Sequence, residues 1–372
     1  MQFGLTKYFR NDTISERTFW EVQLMETVTV HASGQSRILI GSGILPLLGR
    51  EMRALCPAQT VAVAADRHVA PLYAETVCRS LETAGLRAVL FTFPAGESAK
   101  CPETWLSLLR FLAQEHLTRT DALVALGGGV TGDLTGFAAA TYLRGIDLVQ
   151  VPTSLLAMID SSVGGKTAID LPDGKNLVGA FCQPKLVLCD TDTLATLPAE
   201  NRLDGFGELA KYAVLHDPAL LREMQNTPQI TDLVIARCVR CKRDLVEADE
   251  FDRGERRLLN LGHTLGHAIE ARSGFSVSHG RAVAIGLAAA ARIAAKRGLC
   301  TEACAERIES TLTALGLPVR SPYRINELLP YLVSDKKRSG ETCFCILPRM
   351  VGRCELFPVP ASELGSFWEE GL

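Results

Sequence analysis

The feature that most constrains how this chain can fold is an alternation of short apolar runs with amphipathic stretches, starting at Thr60. TVAVAAD, residues 60–66, is apolar almost without interruption, the pattern of a strand covered on both faces. PLYAETVCRSLETAGL (71–86) follows with helical spacing and stops at Gly85. The unit then repeats as strand AVLFTF (88–93), loop PAGESAK (94–100), helix TWLSLLRFLAQEHL (104–117) and strand ALVALGGG (122–129). IDLVQVPTS (146–154) and KLVLCDTDTLATLP (185–198) add two more strands. Strands alternating with helices predict a doubly wound parallel sheet, and such sheets bind ligands at the carboxyl ends of their strands.

A length of 372 residues suggests two domains, and Pro198 marks the expected boundary. Residues 1–24 read as an N-terminal extension, with Met25 a candidate natural start. Residues 25–198 read as a Rossmann-like α/β nucleotide-binding domain that opens on a strand pair turning at Ser33-Gly34. Residues 199–372 read as a mostly α-helical domain. The chain is 47% hydrophobic and 22% charged, enough for a substantial core. Its net charge of −3 and the lack of a long basic block argue against nucleic-acid and membrane-surface partners. The twelve cysteines form no doubled CxxC or Cys/His zinc spacing, and the N-terminus has no apolar signal core. Free thiols in a reducing cytoplasm are therefore expected. The most apolar helix, 282–296, carries Arg292 and is too short to span a bilayer.

Three stretches carry chemistry. LLNLGHTLGHAIEARSGFSVSHG (258–280) holds three of the seven histidines, His263, His267 and His279. The first two are four apart and share a helix face. They suit either a metal site completed by a carboxylate from elsewhere or a pair of hydrogen-bonded core histidines. Gly127-Gly128-Gly129 ends a strand and leads into a helix, which suits a nucleotide pyrophosphate, although the pattern is GGGxxGD rather than GxGxxG. MIDSSVGGKTAIDLPDGKNLVGAF (158–181) reads as a loop that sets Asp160, Lys166, Lys175 and Asn176 beside glycines, as a phosphate site requires. Further on, Glu208 and Lys211 share one face of a helix, and Lys242 lies on another.

Taken in order, GGGVTGDLTGFAAATYLRG, VPTSLLAMIDSSVGGKTAIDLPDGKN, ATLP, the Glu208/Lys211 helix, ADE with RRLLNLGHTLGHAIE, HGRAVAIG and DKK resemble the 3-dehydroquinate synthase family over most of the chain. The resemblance implies an NAD- and zinc-dependent homodimeric phosphorus–oxygen lyase of the shikimate pathway of aromatic amino-acid biosynthesis. Its substrate would be 3-deoxy-D-arabino-heptulosonate 7-phosphate and its products 3-dehydroquinate and phosphate. The steps would be transient oxidation, phosphate elimination, reduction, ring opening and intramolecular aldol closure. It places one zinc, or cobalt, per subunit on Glu208, His263 and His279, and so takes His267 out of the metal set. It places NAD on Asp66, on Gly96, Glu97, Ser98, Ala99 and Lys100, on Gly128, Gly129, Val130, Thr131, Gly132 and Asp133, on Thr153, Ser154, Lys166 and Lys175, and on Thr193, Leu194, Ala195 and Thr196. The substrate pocket falls on Asp160, Lys166, Asn176, Lys211, Lys242, Arg256, Asn260, His267 and Lys336. Arg144 is similar to an arginine that reaches the neighbouring subunit's site.

Ser154, Ala95, Asp66-Arg67-His68 and Gly207 depart from the usual family pattern. The nearest alternatives are the sibling cyclases 2-deoxy-scyllo-inosose synthase and 2-epi-5-epi-valiolone synthase. A more distant one is a metal-dependent alcohol dehydrogenase. A cationic pocket containing Arg256 suits a substrate with both phosphate and carboxylate, which favours the dehydroquinate-type reading.

Overall fold

A computed structural model describes residues 25–225, 229–333, 338–339 and 342–372. The extension 1–24 and Lys336 lie outside the described residues. The first half holds strands β1 (Glu26–His31), β2 (Gln35–Gly41), β3 (Thr60–Asp66), β4 (Arg87–Phe93), β5 (Ala122–Gly127), β6 (Asp147–Pro152) and β9 (Leu186–Asp190). They make one sheet in the order β1-β2-β9-β6-β5-β3-β4. Only β1 runs antiparallel, paired with β2 through Val30↔Ser36 and His31↔Gln35; the other neighbours are parallel.

The apolar runs explain the layering. Every residue of β5 is buried, as is the interior of β3, because helices cover both faces. Helices α1 (Leu48–Leu55) and α2 (Ala70–Thr83) pack on one face. Helices α3 (Pro102–Gln114) and α4 (Gly129–Thr141) pack on the other. The chain steps from β3 out to β4 and returns on the other side of β3 to form β5. The carboxyl ends of β3 and β5 therefore flank the point where strand order reverses, the usual ligand crevice of such sheets.

The stretch 158–181, expected as a loop, is different. Ala157–Ser161 is a π-helical turn, and β7 (Lys166–Leu171) with β8 (Gly174–Phe181) forms an antiparallel hairpin outside the main sheet. TAI and NLV supply strand-forming residues that the lysines and glycines around them obscured.

From Ala199 the chain is mainly helical. It comprises α5 (Ala199–His216), α6 (Pro218–Met224), α7 (Asp232–Ala248), α8 (His263–Arg272), α9 (His279–Lys296), α10 (Glu302–Ala314) and α11 (Ile325–Val333). A small antiparallel sheet of β10 (Arg338–Ser339), β11 (Thr342–Met350) and β12 (Arg353–Pro360) precedes α12 (Leu364–Glu369). Helix α9 is apolar nearly all round and is the central element, packed against α5, α8 and α10. Among the described residues no disulfide joins any of the twelve cysteines. Among the described residues no helix is long and apolar enough to cross a membrane.

Candidate active site

Helices α5, α8 and α9 bring one carboxylate and two imidazoles together. Glu208 sits mid-way along α5, His263 opens α8 and His279 opens α9. Glu208 Oε1 lies 3.2 Å from Nε2 of His263 and 3.2 Å from Nε2 of His279. Gly262, in left-handed backbone at φ 78°, turns the chain so that α8 begins at His263. Each histidine is oriented by its other nitrogen. His263 Nδ1 is 3.0 Å from the Leu261 carbonyl oxygen, and His279 Nδ1 is 3.0 Å from Glu270 Oε2. Both Nε2 atoms thus face the buried carboxylate.

This set fits a divalent metal ion. Its three candidate ligand atoms lie within 4.8 Å of one another, and two histidines with one glutamate leave a position open for substrate. Glu208 is fully buried; its Oε2 is 2.5 Å from Lys211 Nζ but lacks the angles of a hydrogen bond. Burial works to raise the Glu208 pKa, yet Lys211 and His263 hold it well below the carboxylate range. Burial lowers that of His263. Burial opposes charge on His279 too, but Glu208 and Glu270 lift it well above the usual value. A second trio, His267, Glu270 and His279, also lies within 4.8 Å, but there Glu270 already accepts from His279 and lies 3.5 Å from Lys175 Nζ.

Beside the histidines lies a cationic group. Asp160, in the π-helical turn, is its hub. Its Oδ1 accepts from Lys242 at 2.7 Å and from the Tyr212 hydroxyl at 2.5 Å, and lies 3.7 Å from Lys211 Nζ. Lys242 also donates to the Asp160 carbonyl at 2.7 Å. Burial favours the neutral acid, but Lys211 and Lys242 keep Asp160 ionised far below its usual range. Burial also lowers Lys242 to about 8 against the pull of Asp160. Arg256, 1% exposed, spends one N–H of each Nη on the Gly164 and Glu250 carbonyls, which leaves the second N–H of each for an anion. Lys166 pairs with Asp252, and Asn260 Nδ2 donates to the Arg257 carbonyl at 3.1 Å. His267 is exposed, its ring 5.3 Å from that of His263 and 5.9 Å from that of His279.

Apart from Lys166 and Lys175, which lie in the hairpin of β7 and β8, the residues expected for the nucleotide collect at the carboxyl ends of the strands. Gly128 caps α4 without a side-chain hydrogen bond, and the buried Thr131 hydroxyl has no partner, so the helix N-terminus can accept an anion. A Cβ on Gly132 would sit 2.9 Å from Gln150 Oε1, so the turn lies close against β6. Thr153 and Ser154 follow β6, and Thr193, Leu194, Ala195 and Thr196 follow β9. Asp66 ends β3, where its Oδ1 accepts from the His68 and Val69 amides. Gly96, Glu97, Ser98, Ala99 and Lys100 follow β4. Lys100 Nζ is 2.7 Å from Asn176 Oδ1, 3.1 Å from Glu97, 3.2 Å from Asp133 and 3.5 Å from Asp170. Burial raises the Asp133 carboxyl to about 6, although Lys100 pulls it down. Arg144 is elsewhere: it is exposed after α4, in left-handed backbone together with Leu143, at φ 69° and 50°.

Four structural partners escaped the sequence reading: Tyr212, Asp170, Asp252 and Glu270. The signal for Glu270 was present, since it lies seven residues after His263 and so on the same helix face. The other three are set by long-range packing that spacing does not encode.

The sequence profile for the N-terminal domain of 3-dehydroquinate synthase matches residues 90–204, and that for its C-terminal domain matches 205–338. The chain belongs to the 3-dehydroquinate synthase family. The 3-dehydroquinate synthase of Streptococcus suis is 41% identical over 339 residues, covering 89% of this chain and 96% of that one. Among solved structures, 2-deoxy-scyllo-inosose synthase in complex with carbaglucose-6-phosphate, NAD+ and Co2+ superposes with a TM-score of 0.82 at 26% identity, covering 93% of this chain and 100% of the other. The 2-epi-5-epi-valiolone synthase of Streptomyces hygroscopicus, with NAD+ and Zn2+ bound, gives a TM-score of 0.81 at 27% identity over 91% and 97%. The α/β sheet followed by a helical half is therefore a sugar phosphate cyclase fold, as the 3-dehydroquinate synthase resemblance implied.

Proposed function

We propose that this chain converts 3-deoxy-D-arabino-heptulosonate 7-phosphate to 3-dehydroquinate and phosphate, in a site formed between residues 25–198 and 199–372. The observation that carries this reading is the Glu208–His263–His279 trio set against the Asp160, Lys211 and Lys242 cluster. A metal-ligand set adjoins cations for an anionic substrate. Glu208, His263 and His279 would hold one zinc or cobalt ion, and the strand ends from Asp66 to Thr196 would hold NAD. When bound, the ion supplies Lewis acidity at a substrate hydroxyl and NAD supplies a reversible hydride acceptor.

The protein's own groups do the rest. Arg256 offers paired N–H donors for the substrate carboxylate. Lys166, Lys211, Lys242 and Lys336 neutralise the phosphate, and the Asn176 amide donates to it, holding it in place for departure. Asp160 fixes Lys211 and Lys242 and keeps them charged. His267, exposed beside the metal histidines, exchanges protons with the substrate. Arg144 reaches a partner's site in a homodimer, which accounts for an exposed arginine on strained backbone. Twelve cysteines without a disulfide among the described residues favour a reducing cytoplasmic setting.

The test is phosphate release from the heptulosonate phosphate with catalytic NAD+, before and after chelation. Release without net NADH, lost on chelation and restored by zinc or cobalt, is expected. Turnover only with glucose 6-phosphate or sedoheptulose 7-phosphate would assign the chain to a sibling cyclase. Steady NADH accumulation with a simple alcohol would assign it to a dehydrogenase.

A further inference from the structure

One buried carboxylate orients a metal-site histidine and also reaches toward the nucleotide side. Glu270, 4% exposed, lies on α8 on the same face as His263. Its Oε2 takes the Nδ1 side of His279 at 3.0 Å, and its Oε1 is 3.5 Å from Lys175 Nζ. Lys175 in turn lies 3.4 Å from Glu97 Oε1, and Glu97 Oε1 lies 3.1 Å from Lys100 Nζ. Charges of alternating sign thus run from His279 through Glu270, Lys175 and Glu97 to Lys100. The line starts at the metal trio on α9, crosses the hairpin of β7 and β8, and ends in the loop after β4.

Each link has a physical consequence. A carboxylate accepting from Nδ1–H leaves His279 Nε2 as the ligand nitrogen and fixes the ring plane. Water cannot readily replace it, because the carboxylate is buried. Lys175 is shared between two carboxylates, one on the metal side and one on the nucleotide side. A group that engages the loop Gly96 to Lys100, or Lys175 itself, changes how much of that ammonium faces Glu270. The basicity of the Glu270 oxygens changes with it, and so does the grip of His279.

We propose that Glu270 is a positioning residue for His279 and that, through Lys175, it makes metal affinity and nucleotide affinity depend on each other. This rests on the reading of Glu208, His263 and His279 as the metal site. The dependence is reciprocal, since a coupling free energy has the same size seen from either ligand.

The experiment measures Zn2+ affinity against a chromophoric chelator, with and without NAD+, and NAD+ affinity with and without Zn2+. The proteins are the unaltered chain, Glu270→Gln, Lys175→Met and His263→Ala. In the unaltered chain NAD+ shifts the Zn2+ dissociation constant by about fivefold or more. Glu270→Gln weakens Zn2+ binding roughly 10–100-fold and changes the visible spectrum of the Co2+-loaded protein. Lys175→Met changes Zn2+ affinity in the absence of NAD+ and, at NAD+ concentrations measured to saturate it, loses the NAD+-dependent shift. Wild-type Zn2+ affinity and Co2+ spectrum in Glu270→Gln, or no NAD+-dependent shift in the unaltered chain, overturns the inference. If Glu270→Gln does not fold by circular dichroism, Lys175→Met and the unaltered chain decide it. His263→Ala separates the two readings. Loss of Zn2+ there with none in Glu270→Gln sinks only this inference, whereas retained Zn2+ affinity in His263→Ala sinks the metal site itself.

Discussion

A Cβ placed on Gly280 would lie 1.8 Å from the backbone oxygen of Asp204. Helices α5 and α9 therefore touch backbone to backbone. Gly207 repeats the contact from the other side, its Cβ position 2.1 Å from the Gly280 oxygen. The Asp204 carboxylate also accepts from the Gly280 amide at 2.5 Å, tying the start of α9 to α5. Glu208 comes one turn after Asp204, and His279 immediately precedes Gly280. The crossing is what holds the carboxylate and the imidazole 3.2 Å apart.

Gly280→Ala should therefore damage the site through packing. The added methyl meets main chain, which cannot rotate away, so the helices must separate. Destabilisation of about 1–3 kcal/mol is expected from overpacking of this kind, together with weaker Zn2+ binding. Chemical denaturation and chelator competition check both. Unchanged stability would mean that the crossing is looser than its geometry.

His263→Ala removes one of the three candidate ligand atoms. It should lower bound metal per subunit, measured by elemental analysis, and abolish phosphate release while leaving the circular dichroism of the fold in place. Activity equal to that of the unaltered chain would exclude His263 from the metal set.

Lys242 should impose an alkaline limit on substrate binding. Burial lowers its amine to about 8 against the pull of Asp160. Its folded value is below the ordinary 10.5, so the stability it contributes is present above 10.5 and lost as pH falls through about 8. Its charge behaves oppositely and disappears as pH rises through about 8. KM for the anionic substrate should then rise above that pH with little change in kcat. Lys242→Arg should remove the rise, because guanidinium stays charged. A flat KM profile across that range in the unaltered chain would contradict the assignment.

Lys100→Met should be among the more damaging single changes in the α/β half. It strips the counter-charge from Glu97, Asp133 and Asp170. Removing one partner of a buried ionic group costs about 3–5 kcal/mol. The pH dependence has a definite sign. Asp133 already sits at about 6, above its ordinary 3.8, so its share of stability is present below 3.8 and lost as pH rises through about 6. Without Lys100 the loss deepens, so the deficit of the variant should be largest above pH 6 and shrink below it. Urea midpoints on either side of that pH measure it. A deficit independent of pH would show that the carboxylates are not the cause.

Much of this protein was written in local pattern. The apolar runs of β3 and β5 mark covered parallel strands, and Gly127 to Gly129 mark a tight strand-to-helix turn. Both follow from forces that act over a few residues: burial of alternate or continuous apolar faces and the steric freedom of glycine. Periodicity also put His263 and His267 on one face of α8.

Which of them works with which was decided elsewhere. Spacing alone paired His263 with His267, whereas the fold sets His263 against Glu208 and His279, 55 and 71 positions from that glutamate in the sequence. Glycine crossings between α5 and α9 make that approach, and no local signal states which glycines will meet. The hairpin of β7 and β8 was hidden for the same reason. Its pairing, and the placement of Lys175 between Glu97 and Glu270, come from contacts between distant segments. The sequence by itself determined the elements and the residue types that chemistry needs; tertiary packing decided the partners, because a side chain's charge and orientation depend on what the rest of the chain brings against it.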